Sequence, residues 1–324
     1  MEQKNSQTAI DSIKIGDFIG GYYEVYRILK GGMGVVYVCY DHRSHFPTVL
    51  KTFQKNYIQS DEDEALFKRE ALIWIKLGRH PYIVHADSVA KMDRKLFIML
   101  EYISPDSHGR NTLTHYFGCL SLPEILKLSI QFCYGIEYAY SNGIDAHRDI
   151  KPDNIMISPE KMVKITDFGL AKAFQEIQFK KNNIPENEET NLCIFKSKGR
   201  NICGTLPYMS PEQFDGYADK RSDIYSFGIV LHQMVTDGVL PFIGKNPEEY
   251  ERLHKYEKAP YSSSPPFSII KRCLEKEPDK RYRDFAVIRE ELQNLILKET
   301  GEKIIQPETA ELELCDLLGK GNAL

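Results

Sequence analysis

The sequence predicts an α+β fold, with strands gathered early in the chain and helices late. Two observations carry this. Strand-like runs fill the first hundred residues: Tyr23 to Leu29, Val35 to Tyr40, Thr48 to Lys51 and Leu96 to Ile103. Beyond them, residues 124–142 read as a helix stopped by Asn142-Gly143, and Phe285, Ile288, Leu292, Leu295 and Ile296 mark a final amphipathic helix. A chain of 324 residues can bury one large core or two lobes.

Composition narrows the class. Hydrophobic content of 42% and charged content of 27% are ordinary for a soluble globular protein. The net charge of −4 lacks the basic balance that nucleic-acid binding needs. No apolar run reaches membrane-spanning length; Phe227 to Leu231 is interrupted by His232. The start, Met1-Glu2-Gln3-Lys4-Asn5, has no signal-peptide apolar region. The seven scattered cysteines form no C-x-x-C pair, so a reduced, cytoplasmic compartment is expected, with the thiols acting as small buried hydrophobes.

Taken in order, residues 1–21 are a polar, loosely held lead-in. The first two strand runs flank Gly31-Gly32-Met33-Gly34, a hairpin with a glycine-rich tip. Glycines let backbone N–H groups approach phosphates closely, although such a tip alone is more often just a turn. Residues 62–77 read as an amphipathic helix on Phe67, Ala71 and Trp74, with Ser60 and Asp63 as its cap. His80-Pro81-Tyr82-Ile83-Val84 ends that helix and begins a strand. Pro247 to Ser264 is loop-rich.

The chemistry concentrates in His147-Arg148-Asp149-Ile150-Lys151-Pro152-Asp153-Asn154. An Asp can accept the proton of an attacking hydroxyl, a Lys can neutralise charge on a moving phosphoryl group, and an Asn can offer an amide oxygen to magnesium. Alone, such a loop is more often a solvated turn. Asp167-Phe168-Gly169 follows the short strand Met162 to Ile165 and supplies a second metal-binding carboxylate.

With these motifs in this order, the chain resembles the eukaryotic-like (Hanks-type) Ser/Thr protein kinase family over roughly residues 22–298. The resemblance implies a bilobal protein-kinase-like fold: a lead-in (1–21), a small mainly-β ATP-binding N-lobe (22–103), a larger mainly-α catalytic C-lobe (104–298) and a tail (299–324). It implies ATP with magnesium, or manganese in its place, and transfer to protein serine or threonine hydroxyls. The ATP site would comprise Leu29, Gly31, Gly32, Gly34, Val36, Val49, Lys51, the gatekeeper Leu100, and hinge residues Glu101 and Ile103. The family pattern G-x-G-x-x-G-x-V puts Leu29 at the first glycine, unless one residue is deleted and the loop shortened. Lys51 would contact the α- and β-phosphates and pair with Glu70; Glu70's plainer reading is a solvated carboxylate. Asp149 would be the base, Lys151 its cationic partner, and Asn154 and Asp167 the metal ligands.

The same resemblance reads Gly204-Thr205-Leu206-Pro207-Tyr208-Met209-Ser210-Pro211-Glu212 as a substrate-docking loop, with Ser210 in place of the usual Ala. Thr205 would bridge Asp149 and Lys151, Glu212 would pair with Arg281, and Asp223 would accept catalytic-loop N–H groups. Arg148 beside Asp149 implies control by phosphorylation of the long activation segment, where Ser197 and Thr190 are candidate sites, Ser197 favoured for its flanking Lys196 and Lys198. The polar middle of that segment reads as a mobile loop. Self-association would serve autophosphorylation. Bacterial phrasing in Gly-Gly-Met-Gly and Tyr-Met-Ser-Pro-Glu-Gln points to a prokaryotic member. Leu317 to Leu324 looks like the opening of a tetratricopeptide repeat, which implies truncation from a longer protein. Two other classes stay open: a pseudokinase interaction module, favoured by the irregular glycine loop, and a small-molecule phosphotransferase, disfavoured by the docking loop.

Overall fold

The computed structural model describes residues 13–31, 34–53, 58, 60–171, 173, 177, 193–197, 200–260 and 262–306, with backbone alone for 193–197 and 200–204. Gly32, Thr190 and the stretch from Leu317 to Leu324 lie outside the described residues.

The N-terminal part is a six-stranded sheet in the order β1-β2-β3-β4-β6-β5, every neighbouring pair antiparallel. Its strands are β1 (Phe18–Ile19), β2 (Tyr23–Lys30), β3 (Gly34–Asp41), β4 (Phe46–Phe53), β5 (Ala86–Met92) and β6 (Lys95–Glu101). The alternation of β2 and β3 places Val25, Tyr37 and Cys39 in one apolar layer with Leu50 and Phe97. The same layer buries Ile19. Residues 13–21 are therefore not all a loose lead-in: Gly16 N–H and Val25 N–H tie β1's approach to β2, at 2.8 Å and 2.9 Å.

Helix α1 (Asp61–Lys76) packs Phe67 against Phe53 of β4, in a core separate from that layer. Ser60 and Asp63 form a reciprocal capping box, each side chain 3.2 Å from the other's backbone nitrogen. The helix buries Phe67, Glu70, Ala71 and Trp74. The Trp74 indole donates to the Val84 carbonyl at 3.0 Å. Residues 77–85 form a loop, not the start of a strand; β5 begins only at Ala86. There the backbone is held sideways, as Val84 N–H donates to the Ile165 carbonyl at 2.8 Å.

The C-terminal part is helical. Helices α2 (Leu122–Ser141), α3 (Lys220–Val235), α5 (Phe267–Cys273) and α6 (Phe285–Thr300) pack into one core with the hairpin β7 (Ile155–Ile157) and β8 (Val163–Ile165). A Cβ on Gly228 of α3 would meet Cys273 Cβ at 2.6 Å, so only glycine permits this approach of α3 and α5. The stretch expected to be loop-rich contains α4 (Pro247–Tyr256). Asn246 caps it through Glu249 N–H at 2.8 Å, and Pro247 sits in the first turn, where its missing N–H costs nothing. A second hairpin, β9 (Cys193–Ser197) with β10 (Arg200–Gly204), precedes the docking loop. No described helix is long and apolar enough to cross a membrane.

Candidate active site

The catalytic loop is aimed by backbone that no side chain prefers. Arg148 and Asp167 both hold left-handed φ, at 69° and 72°. Each such residue costs about 1–3 kcal/mol and persists only where its surroundings fix it. For Arg148 the fixing group is buried Asp223, whose carboxylate accepts His147 N–H at 2.6 Å and Arg148 N–H at 2.8 Å. The Tyr140 hydroxyl donates to the same carboxylate at 2.6 Å. Burial raises the Asp223 carboxyl above its ordinary range even against these donors and nearby His147. His147 itself lies against the Phe168 ring, with centroids 5.0 Å apart, and bonds the Thr166 carbonyl at 2.8 Å.

Four side chains then converge. Lys151 Nζ lies 2.7 Å from Asp149 Oδ2 and 3.0 Å from Thr205 Oγ1. The Thr205 hydroxyl donates to Asp149 Oδ1 at 2.8 Å. The Asn154 amide N–H₂ donates to the Asp149 carbonyl at 2.8 Å and to its Oδ2 at 3.0 Å. Burial alone would lower the Lys151 pKa, but the Asp149 carboxylate beside it raises it, so this ammonium stays charged.

Lys51 reaches into the same cluster from β4, where it pairs across the sheet with Val36 and Ile98. Its Nζ is 2.5 Å from Asp167 Oδ2. Burial works against charge on Asp167, but Lys51 outweighs it and holds the carboxyl below the ordinary carboxylate range. The expected Lys51–Glu70 ion pair is not formed. Glu70 is buried, but its Oε1 is bound by neighbouring Arg69 at 2.8 Å, and its other oxygen faces Gly169. Two carboxylates compete for one ammonium, and the Asp167 carboxylate holds it.

Of the residues expected at a nucleotide site, Leu29 pairs with Val36 in an unbroken stretch of ladder, Arg27 to Lys30 against Val38 to Val35. Gly31 N–H closes the tip on the Gly34 carbonyl at 2.9 Å. Leu29 thus stands within the strand and is 43% exposed. Gly34 is sterically required: a Cβ there would sit 2.2 Å from the Thr52 carbonyl oxygen of β4. We expect Gly34→Ala to push β3 off β4, lower stability by about 1–3 kcal/mol and raise the KM for ATP; thermal unfolding and an ATP titration measure both. Val49 pairs with Leu100 across β4 and β6. Past Leu100, the Glu101 carboxylate accepts from Lys164 at 3.0 Å, and the Ile103 carbonyl accepts from Asn111 at 3.3 Å.

The docking loop is anchored from behind. Arg281, its side chain wholly buried, binds Glu212 through two nitrogens at 2.7 Å and 2.8 Å. Ser226 Oγ donates to the Tyr208 carbonyl at 2.7 Å. Ser197 lies at the end of β9, paired with Arg200.

The donor set suits magnesium. The Asn154 amide nitrogen donates twice to Asp149, so the Asn154 amide oxygen is the atom that could serve a metal alongside the Asp167 carboxylate. Among the described residues no group of three or more His, Cys, Asp or Glu could cage a metal. A magnesium that keeps waters and phosphate oxygens needs only one or two protein ligands.

Sequence reading missed Tyr140, Gln213 and Ser222. Their partners lie 83, 65 and 10 residues away. No local pattern marks a helix tyrosine as the donor to a distant carboxylate.

This sheet-and-helix arrangement, with its Asp–Lys–Asn–Thr cluster, is that of a phosphotransferase of the kinase type. The protein kinase domain family matches residues 22–293, and the chain belongs to that family. Three bacterial relatives show the likeness. A probable serine/threonine-protein kinase of Clostridium perfringens is 30% identical, covering 92% of this chain and 42% of its own length. Serine/threonine-protein kinase PrkC of Bacillus subtilis is 32% identical over 83% of this chain and 39% of its own. PknB of Mycobacterium tuberculosis is 30% identical over 83% and 42%. The chain thus spans about two fifths of the length of these relatives. The crystal structure of the Mycobacterium tuberculosis PknI kinase domain, a double mutant, matches with a TM-score of 0.61, 18% identity, and coverage of 87% of this chain and 99% of that one. That likeness speaks for the fold alone.

Proposed function

We propose that this chain is an active Ser/Thr protein kinase that transfers the ATP γ-phosphoryl group to protein hydroxyls with magnesium. The convergence of Lys151, Asn154 and Thr205 on Asp149 carries the reading. Asp149 orients the substrate hydroxyl and takes its proton. Lys151 and Lys51 offset charge on the phosphoryl oxygens, while Asn154 and Asp167 would hold the metal. The metal they hold would supply positive charge against the charge that develops on the phosphoryl group. Thr205 ties the peptide-docking loop to the base, which favours protein over small-molecule acceptors.

We infer autophosphorylation in the activation segment as well, at Ser197 or Thr190. Arg148 Nε is buried and has no hydrogen-bond partner among the described residues, and a phosphate would supply one. A pseudokinase reading draws on Leu29 in the glycine strand and on the unformed Lys51–Glu70 pair. Labelled ATP with magnesium, offered to the chain and to a generic basic protein, decides between them. Incorporation into both is expected, with mass spectrometry placing phosphate on Ser197 or Thr190. Nucleotide binding without any incorporation would favour the interaction module.

A further inference from the structure

We propose that Gln213 is a positioning residue for phosphoryl transfer, setting the aim of Asp149 by holding the peptide bond in front of it. The role in catalysis rests on the kinase reading above; the conformational role does not.

The Arg148–Asp149 peptide follows a residue in left-handed backbone, φ 69°. Without an external hold, a non-glycine residue leaves that region for the α or β basin, and the next side chain swings with it. Two distant side chains supply the hold. Asp223 takes the Arg148 N–H at 2.8 Å, on the near side. On the far side, Gln213 Nε2 donates to the Arg148 carbonyl at 3.2 Å. The same peptide's N–H lies 3.4 Å from His147 Nδ1. The peptide plane is therefore fixed at both its oxygen and its nitrogen.

Gln213 can do this because it is itself immobile. It is buried at 6% exposure, and its Oε1 accepts Ser210 N–H at 2.9 Å and the Ser210 hydroxyl at 3.0 Å. With the oxygen so occupied, the amide nitrogen must face the catalytic loop. The short turn that carries it, Pro211–Asp215, also carries Glu212, which Arg281 binds. The segment from Thr205 to Gln213 thus grips the catalytic loop twice, through Thr205 on the Asp149 carboxylate and through Gln213 on the Arg148 carbonyl. Ser210 gains a purpose here too, since its hydroxyl helps lock the Gln213 amide.

Gln213→Glu is the informative variant. It keeps an acceptor for Ser210 and replaces the N–H donor to Arg148 with a carboxylate oxygen. A displacement of about 1 Å at a reacting group costs roughly 100-fold. We expect kcat to fall by about 10- to 100-fold, with the KM for ATP within about twofold of the parent. A carboxyl buried against a carbonyl is readily protonated and then regains an O–H donor. The variant-to-parent kcat ratio should therefore rise as pH is lowered from about 8 to about 6, while Gln213→Leu shows no such recovery. An unchanged kcat, or equal losses in Glu and Leu variants with no pH recovery, overturns the proposal. If the parent chain transfers no phosphate, the kinase reading fails and the crystal structure of either variant decides the conformational claim. Arg148 leaving the left-handed region supports it; Arg148 keeping φ near its present value sinks it.

Discussion

Asp149→Asn is expected to lower phosphoryl transfer by about 100- to 10,000-fold, the range for loss of a general base, while ATP binding stays nearly unchanged. The geometry explains both halves. The Asp149 carboxylate accepts Lys151 and Asn154 on one oxygen and Thr205 on the other. An amide fills the same space, so the loop should hold its shape. What the amide lacks is a site for the departing proton and a charge opposite Lys151. The nucleotide would be gripped instead by Lys51 and the glycine hairpin, which do not touch Asp149. Single-turnover transfer alongside nucleotide titration separates the two effects. A variant that loses ATP affinity and rate together would show that Asp149 acts chiefly in the architecture of the loop.

The second large effect concerns stability. Arg281→Met should cost about 3–5 kcal/mol, because it strands Glu212 without its cation in the interior. Arg281 also donates to the carbonyls of Glu275, Arg221 and Lys276, at 2.8, 2.8 and 3.1 Å, so four acceptors lose a partner at once. Replacing both members, as Glu212→Leu with Arg281→Met, should cost less than Arg281→Met alone, since no charge is then stranded. Urea unfolding of the three chains gives the comparison; a single-variant cost under about 1 kcal/mol would show that the pair is not an anchor.

The same pair has a pH signature. Burial pushes the Glu212 carboxyl up, but the hydrogen bonds and charge of Arg281 outweigh it and leave the carboxyl below its ordinary value. A depressed folded pKa means the stabilisation is fully present above the unfolded carboxyl pKa of about 4.3 and is lost as pH falls through the folded value. The stability gap between the parent and Glu212→Gln should therefore be constant near neutral pH and close in acid.

Much of this molecule was legible in the sequence because its signals are local. Ser60 and Asp63 cap α1 across three residues. The strands of the glycine hairpin alternate in place, and Asp149, Lys151 and Asn154 lie within one turn of chain. Helix α4 is also written locally, in the cap Asn246 and in Pro247, within a stretch whose proline and serines suggest loop.

Other features belong to the packed fold. Which carboxylate takes Lys51 is a competition between groups 19 and 116 residues along the chain; in the fold Arg69 binds Glu70 and Lys51 lies on Asp167. Asp223 and Gln213 become the clamps on Arg148 only when α3 and the docking turn close over the catalytic loop. Periodicity and caps act over one turn of backbone, so the amino-acid order fixes them directly. Desolvation, charge competition and backbone strain depend on neighbours brought together by folding, and no local pattern of residues encodes them.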